Sequence, residues 1–205
     1  MSVQCHTLCP TACGRNLSTG CGQVAELLRQ HANWQWSGVD PGERGKFMLV
    51  KDAAREDAKS ALDQYWNGTL PVDPFYIAQR MGIEVRVTSM RADLSGAIVA
   101  EGGAVTILVD SSDNYGRQSF TCAHELGHYF ERQRKGDKEF SFKEFRHSGK
   151  YDLHEFYADE FAANLLMPEV AFRHVVKRFG SDNLVAAQFA VSPGAVRKRR
   201  EKLKI

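Results

Sequence analysis

The sequence predicts an α+β fold, in which helices surround a small antiparallel or mixed sheet. Two strand patterns joined by a turn, "SGAIVAEGGAVTILVD", occupy the middle of the chain, and helical patterns precede and follow them. The chain of 205 residues is long enough to bury one sizeable core. It has 43% hydrophobic residues, 25% charged residues and a net charge of +2, values of an ordinary globular protein that favour no class of partner.

Residues 1–45 are expected to form a poorly ordered N-terminal leader, because they are rich in glycine, cysteine and polar side chains. Four thiols lie there, at Cys5, Cys9, Cys13 and Cys21. Their spacing lacks the C-x2-C pairs of common zinc modules, which favours reduced thiols; a zinc or iron–sulfur centre is the alternative. The N-terminus lacks the apolar core of a secretory signal, and no run approaches the roughly 18 apolar residues of a membrane span. We therefore expect a cytoplasmic protein without a membrane partner.

Two helices and a strand are predicted ahead of the two central strands. From Asp52 onwards, apolar residues recur every three or four positions, and Gly68 marks the end of that helix. Asp73 is placed to cap a second helix that has Pro74 in its first turn and ends at Gly82. An alternating strand pattern follows, formed by Ile83, Val85 and Val87.

The central strands are predicted to form a hairpin that turns at Glu101-Gly102-Gly103, and a helix containing "TCAHELGHYF" follows them. The next stretch, "ERQRKGDKEFSFKEFRHSGKYD", is predicted to be a surface loop because it is charged and has no clear period. A largely buried helix, "LHEFYADEFAANLLM", then ends before Pro168. The side chains expected to cover most of its surface are Leu153, Phe156, Tyr157, Phe161 and Leu165.

Residues 169–205 are predicted to be helical and increasingly basic. Two short helices are expected around residues 189–192, with Ser192 as a cap and Pro193 in the first turn of the second helix. Residues 192–205 carry six Lys or Arg against one Glu. This pattern resembles a helix-turn-helix, which can contact DNA phosphates. The alternative is a solvated terminal helix that packs on the rest of the domain.

The segment "TCAHELGHYF" brings two imidazoles and a carboxylate into an apolar setting. On a helix, His124 and His128 lie on one face one turn apart, so both rings can bind one ion, with Glu125 beside it. H-E-x-x-H is the arrangement of zinc peptidases, in which the metal activates water and the Glu accepts its proton. A chance match to this motif would usually lie on a solvated helix face, whereas the neighbours of this motif are apolar. Gly127 costs about 1 kcal/mol relative to alanine in a helix, so we expect another segment to pack closely against it.

A catalytic zinc site takes three protein ligands and one water, so a third ligand is required. Glu155 and Asp159 lie four residues apart on the predicted buried helix, where carboxylates are rare unless paired or bound to metal. We expect Glu155 to be the ligand and Asp159 to accept the N–H of a ligating histidine. The alternatives are a capping box of Asp152 with Glu155 and a buried salt bridge of Asp159. Glu160 and His154 are further candidates for the third ligand.

Together these segments resemble the ImmA/IrrE family of zinc metallopeptidases. The likeness covers roughly residues 53–167 and is carried by "LPVDPFYIAQRMGIEV", "RQSFTCAHELGHYF" and "EFYADEFAANLLMP". The last segment is similar to the family signature E-x-x-A-[ND]-x-F-A-x-x-L-L-M-P. The resemblance implies a zincin-like, gluzincin-like catalytic domain at residues 46–168 and a helical segment at 169–205. It further implies zinc on His124, His128 and Glu155, with Glu125 as the general base.

The resemblance also implies a substrate: a DNA-binding transcriptional repressor of a mobile element or of a stress response. Zincins commonly hold the substrate as a strand added to a sheet edge, which "AVTILVD" is expected to offer. Tyr151, His154 and Tyr157 are the candidates for stabilising the oxyanion. One alternative is a non-proteolytic regulator that binds DNA or a repressor through the C-terminal basic helices. Another alternative is a structural zinc site, which needs a fourth protein ligand instead of water. Cys122 is the nearby thiol, but it is not expected to be that ligand because it points to a different side of its helix.

Overall fold

The structure of the protein, a computed structural model, describes residues 50–145 and 152–205. The expected leader with its four cysteines and Tyr151 lie outside the described residues. The described part contains seven helices and four strands, and the predicted α+β fold is confirmed. In chain order these elements are α1 (Val50–Tyr65), α2 (Pro74–Arg80), β1 (Glu84–Thr88), β2 (Leu94–Glu101), β3 (Ala104–Asp110), α3 (Tyr115–Lys135), β4 (Phe140–Phe145), α4 (Leu153–Leu166), α5 (Glu169–Phe179), α6 (Asp182–Phe189) and α7 (Pro193–Leu203).

The four strands form one mixed sheet in the order β1-β3-β2-β4. Strand β1 runs parallel to β3, and β2 runs antiparallel to both β3 and β4. The predicted hairpin is confirmed, and its turn has Gly102 at a φ of 58° and Gly103 at 82°. A two-residue turn with positive φ at both positions matches the twist of the flanking strands, and glycine adopts that backbone without a steric penalty.

The sheet corrects two predictions. The stretch expected to be a surface loop contains strand β4, in which Phe142 pairs with Ile98 of β2. Phe140 and Phe142 alternate with Ser141 and Lys143, but the dense charge around the strand conceals this short period. The expectation that "AVTILVD" forms a free edge is also wrong, because β3 lies between β1 and β2.

Helix caps follow the sequence prediction. The Asp73 carboxylate accepts hydrogen bonds from the backbone N–H groups of Phe75 and Tyr76 at 2.9 and 3.2 Å. At the start of α7, the Ser192 hydroxyl oxygen accepts from the N–H of Ala195 at 3.1 Å. Each cap satisfies donors that the first turn of a helix leaves without partners. The caps therefore fix where α2 and α7 begin.

The main core lies between the sheet and the helices α1, α3 and α4. Helix α1 contributes a fully buried alanine face, and α4 contributes Phe161 and Leu165, both fully buried. The expectation for Leu153 is wrong, because its side chain is 67% exposed. Leu153 is the first residue of α4 and lies at the exposed end of the helix, beyond the part that the core covers.

Helices α5, α6 and α7 enclose a second apolar cluster. The ring centroids of Phe172 and Phe189 lie 5.6 Å apart, and Val196 of α7 is fully buried beside this cluster. Arg199 anchors α7 to α4 by donating to the Asn164 side-chain oxygen at 3.0 Å and to the Met167 carbonyl at 3.2 Å. The basic terminal helix thus packs on the rest of the protein. Within the described ranges, none of the helices has the length and apolarity required to cross a membrane.

Candidate metal centre

Three side chains from two helices converge on one point, and we call them the His–His–Glu cluster: His124, His128 and Glu155. The two histidine Nε2 atoms lie 3.1 Å apart. Glu155 Oε2 lies 3.3 Å from Nε2 of His124, and Glu155 Oε1 lies 3.5 Å from Nε2 of His128. Two of these residues are buried and the third is partly exposed, so the group combines a protected interior with access from solvent.

The donor set and its spacing fit a divalent metal ion. Zinc binds histidine nitrogen at about 2.0–2.1 Å, so ligands in a tetrahedral arrangement stand about 3.3–3.4 Å from one another. The three observed distances, 3.1, 3.3 and 3.5 Å, bracket that value. Two unprotonated ring nitrogens repel each other at such a distance unless a proton or a cation lies between them. Two imidazoles with one carboxylate are also a common ligand set of catalytic zinc.

Asp159 orients the first histidine. Its Oδ1 lies 3.1 Å from Nδ1 of His124, where it accepts the ring proton and leaves the Nε2 lone pair directed at the cluster. Asp159 follows Glu155 by four residues on α4, so both carboxylates lie on the helix face that meets α3. Helix α4 therefore supplies both a candidate ligand, Glu155, and a carboxylate that orients the ring of His124.

Strand β4 supports the second histidine. The ring of Phe142 stacks on His128 with centroids 4.5 Å apart and planes only 2° from parallel. Burial, together with the charges of His124, His154 and Arg132, lowers the pKa of His128 to about 3. His128 is therefore neutral at pH 7 and keeps a lone pair for a metal. Sequence reasoning missed Phe142 because it interpreted this stretch as a loop.

Glu125 follows His124 on α3 and is fully buried, and a glycine of β2 makes room for it. A Cβ added to Gly96 would lie 2.9 Å from Glu125 Oε1 and 2.3 Å from the methyl carbon of Thr121. No larger residue fits at Gly96 without moving one of these side chains. Sequence reasoning did not single out Gly96, although a glycine inside a strand often marks the close approach of another group.

The other candidates raised from the sequence are engaged by other side chains. Glu160 forms an ion pair with Lys202 of α7. His154 Nδ1 lies 2.8 Å from Glu131 Oε1, so its ring is engaged by that carboxylate. Asp152 caps α4, but the Glu155 carboxylate is directed at the histidines instead of completing a capping box.

Two further side chains are committed elsewhere. The hydroxyl of Tyr157 donates to the Asp57 carboxylate of α1, and burial raises the pKa of that hydroxyl. Cys122 is fully buried in the main core, and burial likewise raises the pKa of its thiol. As expected from its position on the helix, Cys122 is not a member of the His–His–Glu cluster.

Comparisons with known proteins identify a family and a distantly similar solved structure. The family model of the IrrE N-terminal-like domain, Peptidase_M78, matches residues 78–201. No curated protein matches the chain in sequence. Among solved structures, a Mycobacterium tuberculosis transcriptional regulator is similar with a TM-score of 0.43 and 12% sequence identity, over 85% of this chain and 49% of that chain. The chain thus spans about half the length of that regulator.

Proposed function

The chain belongs to the Peptidase_M78 family of IrrE N-terminal-like domains, and on this premise we propose that it is a zinc-dependent endopeptidase that cleaves a DNA-binding transcriptional repressor. The family supports a metallopeptidase-type role. The observation that carries the proposal is the convergence of His124, His128 and Glu155, with the fully buried Glu125 following His124 on the same helix. The proposed partner is a protein substrate, and direct DNA contact by the basic helix α7 belongs to the alternative function.

The proposed ligands are Nε2 of His124, Nε2 of His128 and a carboxylate oxygen of Glu155, with Asp159 holding the ring of His124. A zinc ion bound by these groups would lower the pKa of a bound water molecule and polarise the scissile carbonyl. The partly exposed carboxylate of Glu155 supports this assignment, because substrate and water need an open side from which to approach.

Glu125 is the proposed general base. Its carboxylate accepts a proton from the attacking water as the water oxygen bonds to the carbonyl carbon of the substrate. When the C–N bond breaks, the same carboxyl group gives that proton to the leaving amine. Complete burial of Glu125 excludes bulk water, and the tight contact with Gly96 limits the positions that its carboxylate can adopt. These two features favour a defined proton transfer.

We propose that the substrate pairs with β4, and not with β3 as the sequence predicts. Strand β4 lies at the end of the sheet, with β2 as its neighbour among the described strands. Phe142 of β4 contacts the ring of His128, so a peptide paired with the outer edge of β4 passes next to the proposed ligands. Backbone hydrogen bonds to an edge strand hold an extended peptide independently of its side chains.

The proposal divides the chain into a leader at 1–45, a catalytic domain at 46–168 and a C-terminal helical segment at 169–205. The separate apolar cluster of α5, α6 and α7 supports the last boundary. The basic residues of α7 favour a second candidate, a non-proteolytic regulator that binds DNA or a repressor through residues 183–205. Deletion of those residues would abolish the activity of such a regulator, whereas Glu125→Gln would leave it unchanged.

The experiment that tests the proposal is cleavage of a helix-turn-helix repressor encoded beside this protein, followed by mass spectrometry. The zinc-loaded wild type should release two fragments, and Glu125→Gln should bind zinc but cleave about 10²–10⁴-fold more slowly. Glu101→Gln at the exposed end of β2 is the matched control and should cleave like the wild type. Cleavage by Glu125→Gln at the wild-type rate would overturn the proposed mechanism.

A further inference from the structure

A cavity of about 930 Å³ lies between the beginning of α3, the C-terminal half of α4 and the first turns of α7. Phe120 and Asp159 form part of its wall, and both also contact His124. The ring centroids of Phe120 and His124 lie 6.1 Å apart, and Asp159 accepts the ring proton of His124. The cavity therefore begins one side chain away from the His–His–Glu cluster.

The lining of this cavity is strongly positive. Four cationic side chains line it: Arg117, Lys198, Arg199 and Lys202. Asp159 is the one carboxylate among the lining residues of the described chain, and it is engaged by His124. Lys202 is paired with Glu160, so the argument for a positive cavity rests on Lys198 and Arg199. A cleft lined by one sign of charge attracts a ligand of the opposite sign.

Arg199 is a buried cation in the wall of this cavity. Its side chain is only 4% exposed, and its two hydrogen bonds go to neutral oxygens, those of Asn164 and Met167. In the described part of the chain, Arg199 forms no ion pair with a carboxylate. Burial lowers the pKa of Arg199, which reflects the cost of holding this charge away from water. The charges of Glu169 and Glu160 offset only part of this cost, so an incoming carboxylate would give the buried Arg199 a direct partner.

We propose that this cavity is a specificity subsite that receives an acidic side chain of the polypeptide bound at the metal centre. The inference rests on the proposed function, because it assigns the cavity to the same substrate. The first turn of α7 lines the cavity as well, and the positive end of a helix adds to the attraction for a carboxylate. The apolar side chains of Phe120 and Leu166 in the cavity wall accommodate the methylene groups of a glutamate.

The test uses short peptide hydroxamates, which carry their own zinc-binding group, with Glu or Gln at each position in turn. Binding to the full-length, zinc-loaded protein is measured by titration calorimetry. At one position, the Glu peptide should bind about tenfold more tightly than the Gln peptide, the effect of one charged hydrogen bond. This preference should disappear in Lys198→Glu, which reverses an exposed cation of the cavity wall. Arg197→Glu, the same change at an exposed neighbour outside the lining, should retain it.

Equal binding of Glu and Gln peptides at every position would overturn the inference, as would a preference that persists in Lys198→Glu. Either result would leave the proposed peptidase intact, because repressor cleavage is measured separately. Binding that does not depend on zinc would contradict the proposed metal centre instead. Failure of every hydroxamate to bind the zinc-loaded protein would overturn both proposals.

Discussion

A Cβ added to Gly127 would lie 2.8 Å from the Cα of Ala158 and 3.2 Å from its carbonyl oxygen. Gly127 stands between the two histidines on α3, and Ala158 stands between the two acids on α4. The two helices therefore touch backbone to backbone at the level of the His–His–Glu cluster. This contact explains why a residue with low helix propensity is placed inside α3, and it sets the distance across which Glu155 reaches the histidines.

Gly127→Ala should destabilise the protein although alanine favours helix formation by about 1 kcal/mol. The added methyl group has to push α3 and α4 apart, and overpacking of this kind typically costs about 1–3 kcal/mol. Urea unfolding measures the change, and zinc affinity should fall with it. Gly194→Ala is the control, because a Cβ there meets its nearest atoms at 3.7 and 3.8 Å, an ordinary contact distance. Equal stability of the wild type and Gly127→Ala would contradict the close packing.

Asp159→Asn should weaken zinc binding about 10–100-fold, because an amide holds the His124 ring less firmly than a carboxylate. Competition with a chromogenic chelator gives the dissociation constant. The control is Glu160→Gln, the same kind of change at the adjacent acid. Glu160 pairs with Lys202 and not with a histidine. If both variants bind zinc equally well, Asp159 does not support a ligand.

Gly96→Ala should slow peptide cleavage while zinc stays bound. The added methyl group meets Glu125 Oε1, and it also meets the Thr121 methyl carbon at 2.3 Å. The double variant Gly96→Ala/Thr121→Ser removes the second clash and leaves the first. Turnover that remains low in the double variant, with unchanged metal content, would identify displacement of Glu125 as the cause. Full recovery in the double variant would show instead that the Thr121 clash alone impairs the enzyme.

The metal-free protein should lose stability on acidification between about pH 6.5, the usual pKa of an unfolded histidine, and pH 3. His128 has a pKa of about 3 in the folded state, so the unfolded chain takes up its proton first as the pH falls. Stability conferred by the neutral ring is complete above this window and decreases by up to about 1.4 kcal/mol per pH unit within it. Urea unfolding at several pH values measures the slope. His128→Gln should show a smaller slope, and an unchanged slope would contradict the assignment.

Periodicity and motif spacing predicted most of the architecture. The α+β fold, the family, the hairpin turn and the caps at Asp73 and Ser192 are all confirmed. The three candidate ligands were predictable because helical spacing places His124 and His128 on one face, and because a carboxylate in a buried helix requires a partner. In the structure, the Glu155 carboxylate lies close to both rings.

The features that escaped prediction depend on contacts between distant parts of the chain. Strand β4 is held by its pairing with β2, and its alternation spans too few residues to stand out from the surrounding charge. Gly96 matters only because α3 brings Glu125 against it. Leu153 is exposed because the first turn of α4 extends beyond the core. A helical pattern in the sequence does not show how far along the helix the core reaches. Each of these outcomes is set by tertiary packing.

The most direct test of the central claim is anomalous diffraction at the zinc edge, using crystals of the protein purified without added metal. We expect one strong peak about 2.0–2.2 Å from Nε2 of His124, Nε2 of His128 and a carboxylate oxygen of Glu155, with a water molecule in the fourth position. A zinc peak bound elsewhere on the chain, or a Glu155 carboxylate turned away from both rings in a metal-loaded crystal, would contradict it.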